Sequence, residues 1–140
     1  MPRTHLLDTC VYSQPVRRTM HPEVAARWQA LGDEAVAISS ICEAEVLYGL
    51  AKSGSARMRE VYDSVLRGRL PILPIDADVA AAYADLRAGC ERRGTPVKDM
   101  DLLIAATAKA NGLTVATLNV SDFTVIHGVT VEDWSTPPAT

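Results

Sequence analysis

Several acidic residues of this chain stand where a carboxylate is costly to keep without a task. Asp8 follows the apolar pair Leu6-Leu7, so an apolar strand drives straight into a negative charge. Glu45 interrupts the stretch Ala44-Glu45-Val46-Leu47-Tyr48, where an ionised side chain is unfavourable unless paired or metal-bound. Asp101 precedes the apolar run Leu102-Leu103-Ile104-Ala105-Ala106, and Asn119 and Asp122 share the turn-rich segment 117–123. Two further acids have plainer readings. Glu43 completes a capping box, Ser40-x-x-Glu43, and Asp99 suits the start of a helix.

Carboxylates gathered at one place repel one another and favour protonation unless a cation neutralises them. Oxygen donors of this kind suit Mg2+, with Mn2+ as the alternative. The candidate ligands are Asp8, Glu45 and Asp101, and the candidate catalytic set adds Asn119 and Asp122. Zinc is disfavoured, because His5, His21 and His127 are scattered and Cys10, Cys42 and Cys90 lie far apart. The three thiols read as buried and unpaired. Bound by carboxylates, a hard cation activates water and offsets charge on a phosphodiester during in-line attack, singly or as a pair.

The elements that must bring these acids together alternate between short apolar runs and amphipathic stretches. Strands are expected at residues 5–7, 35–39, 70–73 and 114–117, with a fifth near Val125-Ile126. Pro71 marks the third strand as an edge. Helices are expected at 22–31, 40–52, 76–93 and 101–111, and another carries the stripe Met58, Val61, Tyr62, Val65 and Leu66. The pattern predicts an α/β fold: an open, mostly parallel β-sheet of four or five strands with helices on both faces. In such sheets ligands bind beyond the carboxyl ends of the strands, where Asp8, Glu45, Asp101 and Asn119 with Asp122 would converge.

With 140 residues and no repeat or linker, one domain over residues 1–140 is expected. No run approaches the roughly 18 apolar residues of a membrane span, and the N-terminal residues lack a signal-peptide pattern. A soluble, cytoplasmic protein is the expectation. The net charge of −3 runs against the basic balance usual for nucleic-acid binders, unless the acids are bundled at a metal site.

Leu6-Leu7-Asp8-Thr9, Glu45-Val46-Leu47-Tyr48-Gly49, Asp101 to Ala108 and Gly112 to Asn119 with Asp122-Phe123 together resemble PIN-domain proteins. More narrowly, they resemble the VapC-type toxins of bacterial toxin–antitoxin pairs. The resemblance runs from residue 6 to about residue 134. It implies a metal-dependent endoribonuclease acting on tRNA, rRNA or mRNA, a cognate antitoxin that covers the site, and a toxin homodimer. Asp8, Glu45 and Asp101 match the main acids of the family. Asn119 stands where some relatives carry a fourth acid, and Cys10 replaces the Asn common after Asp-Thr. Thr9 and Thr117 are placed to orient acids or a bound water through their hydroxyls.

Arginines occur in pairs at 17 and 18, 57 and 59, 67 and 69, and 92 and 93; they read as solvated helix faces, or as a rim to an acidic site that holds RNA phosphates or accepts an acidic antitoxin tail. A haloacid-dehalogenase phosphatase would need a second acid where Cys10 stands. A receiver domain would need an acceptor Asp after the third strand and a Lys after the fifth. The rival of a different kind is a catalytically silent PIN-fold module that acts by binding a protein.

Overall fold

The computed structural model describes residues 2–137. Strand β1 (His5–Leu7) lies at the centre of a five-stranded sheet with β2 (Val36–Ser39) on one side and β4 (Thr114–Thr117) on the other. Beyond these lie the edge strands β3 (Ile72–Leu73) and β5 (Val131–Asp133), giving the order β3-β2-β1-β4-β5 with every pair parallel. Parallel neighbours require crossover connections, and here helices supply most of them. After β1 come α1 (Thr9–Tyr12), a single 3-10 turn and α2 (Pro22–Leu31). After β2 come α3 (Ser40–Ser53) and α4 (Ala56–Val61), the latter widening into a π turn over Tyr62–Leu66. Helices α5 (Ala77–Arg92) and α6 (Asp99–Ala110) separate β3 from β4, and α7 (Val120–Thr124) precedes β5.

Because successive strand residues point to opposite faces, adjacent side chains of one strand enter different cores. Leu7, Val36, Ile38 and Ala116 pack with Val11, Val24, Trp28, Val46 and Leu66 from α1 to α4. Leu6, Ala37 and Val115 pack on the other face against Val79, Leu86, Leu102 and Ile104 of α5 and α6. Small residues let α6 approach the sheet closely, and Ala105, Ala106 and Ala108 are fully buried there. Capping fixes where the helices begin: the Ser39 hydroxyl accepts the Cys42 N–H, and Asp76 accepts that of Val79.

The all-parallel sheet with helices on both faces agrees with the expected architecture, including an edge position for β3. Three local expectations are corrected. The fifth strand is not at Val125-Ile126: Val125 caps α7, and Ile126 is buried in the turn that follows, bonded through its N–H to Phe123. Ile126 closes one core while Val125 is exposed, and β5 instead forms from Val131-Glu132-Asp133, whose acids hide the strand from a hydropathy pattern. The stripe from Met58 to Leu66 is not one regular helix, because the π turn rotates Val65 outward while Tyr62 and Leu66 stay buried. Finally, α3 is capped by Ser39 rather than Ser40, so the expected capping box is absent and Glu43 accepts the Tyr62 hydroxyl instead. Among the described residues no helix is long and apolar enough to cross a membrane.

Leu7 is fully buried one residue before Asp8. Leu7→Ala is expected to lower unfolding free energy by about 2–5 kcal/mol in urea denaturation. A loss below about 1 kcal/mol would mean that the centre of the sheet collapses around the cavity, against this packing.

Candidate active site

The chain leaves β1 with the Asp8 N–H donating to the Ala116 carbonyl at 2.9 Å, so the ladder to β4 fixes the backbone of Asp8. Its side chain is 6% exposed and caps α1. One carboxylate oxygen accepts the Thr9 N–H at 2.8 Å. The other accepts the Thr117 hydroxyl at 2.8 Å and the Cys10 thiol at 3.3 Å. Glu45, in the second turn of α3, accepts the Thr9 hydroxyl on Oε1 at 2.6 Å. The two threonines thus position the two acids as their sequence setting implies. Thr117 also accepts the Asn119 N–H at 2.9 Å, tying the start of α7 to the same junction.

Asp101 lies in the first turn of α6, which begins at Asp99 rather than at Asp101 itself. Asp122 lies in the first turn of α7, with Asn119 as its N-terminal flank. The side chains of Asp101, Asp122 and Asn119 make no hydrogen bond among the described residues, which leaves them free for a ligand. Asp8, Glu45, Asp99, Asp101, Asn119 and Asp122 all line one depression of about 450 Å³ with Thr9, Cys10, Ser13, Arg17, Lys98 and Met100. Every acid in the candidate set is brought to this place. Glu43 is not: it faces Tyr62 on the far side of α3. His5 is engaged elsewhere, with Glu132 of β5 at 3.3 Å.

Burial of Asp101, followed by the charges of Asp8, Asp122 and Glu45, pushes its carboxyl up from 3.8 to about 6, with Lys98 opposing. Asp101 therefore feels the other three carboxylates across the depression. Among the described residues no three His, Cys, Asp or Glu side chains are gathered closely enough to hold a metal ion as a group. Five carboxylates on an open wall are instead suited to a hard cation that keeps much of its water. Cys10 is not a plain buried thiol. Burial and then the charge of Asp8 push it up to about 11, so it stays protonated and can donate to that carboxylate. Cys42 and Cys90 are buried, as read from sequence.

The sequence marks Arg17 only as one of a pair, and it does not mark Lys98 by any motif. The signal for Lys98 lay in its place: it occupies the N-cap of α6, where Ser, Thr, Asp or Asn would normally accept a backbone N–H. A larger groove of about 920 Å³ lies along β5 and α2, away from the acids. Its Glu132 is already satisfied by Arg27, His5 and Trp134.

The sequence profile of the PIN domain matches residues 5–125. The chain is similar to the tRNA(fMet)-specific endonuclease VapC of Salmonella typhimurium, at 32% identity over 91% of this chain and 93% of that one. It is similar to toxin FitB of Neisseria gonorrhoeae, at 35% identity over 92% and 97%. The crystal structure of FitAcB from the same organism superposes with a TM-score of 0.84 at 34% identity, covering 94% of this chain and 98% of that one.

Two consequences follow from this geometry. Thr117→Val keeps the shape but strips Asp8 and the Asn119 N–H of their shared partner, so unfolding free energy should fall by about 1–3 kcal/mol in urea. No measurable loss would place the hydroxyl outside the junction. The raised Asp101 carboxyl means that the native state holds a proton more tightly than the unfolded chain between about pH 3.8 and 6. Stability therefore falls as pH rises through that window. Metal-free wild type should lose stability relative to Asp101→Asn across it, read from urea midpoints, and parallel curves would contradict the crowding of charge.

Proposed function

The chain belongs to the PIN-domain family, and on that premise we propose that it is a metal-dependent endoribonuclease, the toxin of a toxin–antitoxin pair. One observation carries the reading: five carboxylates line a single depression beyond the sheet, and Asp101 and Asp122 keep both oxygens free of protein donors. Its similarity to an endonuclease VapC and to toxin FitB along nearly the whole chain supports the same conclusion.

Asp8, Glu45 and Asp101 would hold the divalent cation, Mg2+ or Mn2+, with Asp122 or Asn119 completing the set through a side-chain oxygen. When bound, the cation supplies a more acidic water and offsets negative charge on the phosphodiester. Asp8 serves as the anchor, its two oxygens held by Thr9, Thr117 and Cys10. Glu45 is oriented through Oε1 by the Thr9 hydroxyl, leaving Oε2 to accept a hydrogen bond from water. Asp101, pushed up to about 6 by burial and then by its acidic neighbours, is the carboxyl that a bound cation would return to its charged form.

The reading extends to partners. A cognate antitoxin protein would cover the depression, the toxin would pair as a homodimer, and RNA as substrate would place the protein in the cytoplasm. One domain, covering residues 1–140, would carry these roles.

Brief expression of wild type and Asp101→Asn in bacteria, followed by sequencing of RNA 5′ ends, tests the reading. Wild type should create ends at a few defined sites, and the variant should lower their yield by about 10²–10⁴-fold. EDTA should abolish cleavage by the purified protein, and added Mg2+ or Mn2+ should restore it. Identical ends from wild type, variant and empty vector would favour the silent, protein-binding module.

A further inference from the structure

The depression that gathers five carboxylates is also lined by two cations, Arg17 and Lys98. Resting on the ribonuclease reading, we infer that these two side chains hold the RNA backbone on either side of the phosphodiester to be cut.

Most cations of this chain are spoken for or lie elsewhere. Arg27 bonds Glu132, Arg67 reaches Asp63, and Arg87 bonds Glu91 and faces Asp99. Arg69 is fixed by Asp33 at 2.9 Å and stacks on the Trp28 ring. Arg93 donates to the Val125 carbonyl. Arg17 and Lys98 form no ion pair and no side-chain hydrogen bond among the described residues, although carboxylates share their depression. Both are exposed. They are therefore cations held near the acids but not consumed by them.

Their placement is two-sided. Arg17 follows the 3-10 turn after α1, beside Ser13, on the wall built by the first crossover. Lys98 stands at the start of α6 and also lines an adjoining cleft with Thr95, Pro96, Val97, Asp101, Ser121 and Asp122, which Arg17 does not reach. The two cations are thus carried by different crossovers, and only Lys98 extends the charged lining into the adjoining cleft.

Lys98 violates a local rule to be there. A lysine cannot accept the orphan N–H groups of α6, and its charge opposes the helix dipole at that end. Such departures from local preference concentrate at functional positions. An acidic peptide could exploit the same cations. Repeating phosphates at regular spacing fit two separated cations flanking a hydrolytic centre better, and they account for RNA binding by a chain of net charge −3.

The test uses a fluorescein-labelled, single-stranded RNA of mixed sequence and about 20 nucleotides. Binding is followed by anisotropy over a salt series in the Asp101→Asn background, with Arg17→Ala, Lys98→Ala and the double change, and with Arg92→Ala as an exposed control. Each single change should raise Kd about threefold to tenfold, and the double change should lower the salt slope by about 2. Arg92→Ala should leave both unchanged. In the otherwise wild-type protein the double change should raise KM for RNA cleavage more than it lowers kcat, with no fall in Mn2+ affinity or melting temperature. A double variant with wild-type Kd, salt slope and KM overturns the inference while the ribonuclease reading stands. Unchanged RNA parameters together with weakened capture of a polyglutamate peptide would reassign the cations to an acidic protein. A wild-type protein that neither binds nor cuts RNA removes both readings.

Discussion

Like charges held close together raise one another's affinity for protons, and the effect grows as water is excluded. Asp8, Glu45, Asp101 and Asp122 meet this constraint at the end of one sheet, and the fold resolves it unequally. Asp8 is the most deeply buried and receives an N–H, a hydroxyl and a thiol. Glu45 receives one hydroxyl. Asp101 receives none, and burial first and then the neighbouring charges raise its proton affinity. The result is a graded set in which one carboxylate is locked, one is steered and one is left without a protein donor.

That grading depends on a scaffold with little freedom. Leu6 and Leu7 send their side chains into opposite cores, so β1 is clamped from both faces immediately before Asp8. The Asp8 N–H then continues the ladder to β4, whose last residue, Thr117, supplies the hydroxyl. A displacement of β4 by a fraction of a hydrogen-bond length would therefore disturb the anchor acid, the start of α7 and the thiol of Cys10 together. Stability and chemistry share the same few atoms at this junction.

Much of this was legible in the sequence because the site sits where apolar periodicity stops. Asp8 after Leu6-Leu7 and Asp101 before Leu102 to Ala106 were each marked by an abrupt change from core to charge. Glu45 was marked by its cost among apolar neighbours. The fifth strand was not legible: an edge strand needs only partial burial, and Glu132 is satisfied by the distant Arg27 and His5, whose contribution no local window contains. The π turn at Tyr62–Leu66 also escaped, since a helical stripe looks the same whether or not one turn is widened. The place of Glu43 is not legible either, since Ser39 and Ser40 are both competent caps and its partner Tyr62 lies 19 residues on.

The bond between Thr117 and Asp8 spans 109 positions of the chain. During synthesis the ribosome releases the N-terminal acids first, yet their anchor arrives only when β4 has emerged, with Asp122 still later in the chain. A nascent or prematurely ended polypeptide therefore carries Asp8 and Glu45 without the hydroxyl that locks the first or the partners that complete the set. Long-range closure of this kind is also the slow part of folding. The topology therefore defers the complete set of acids until β4 and α7 have both been made.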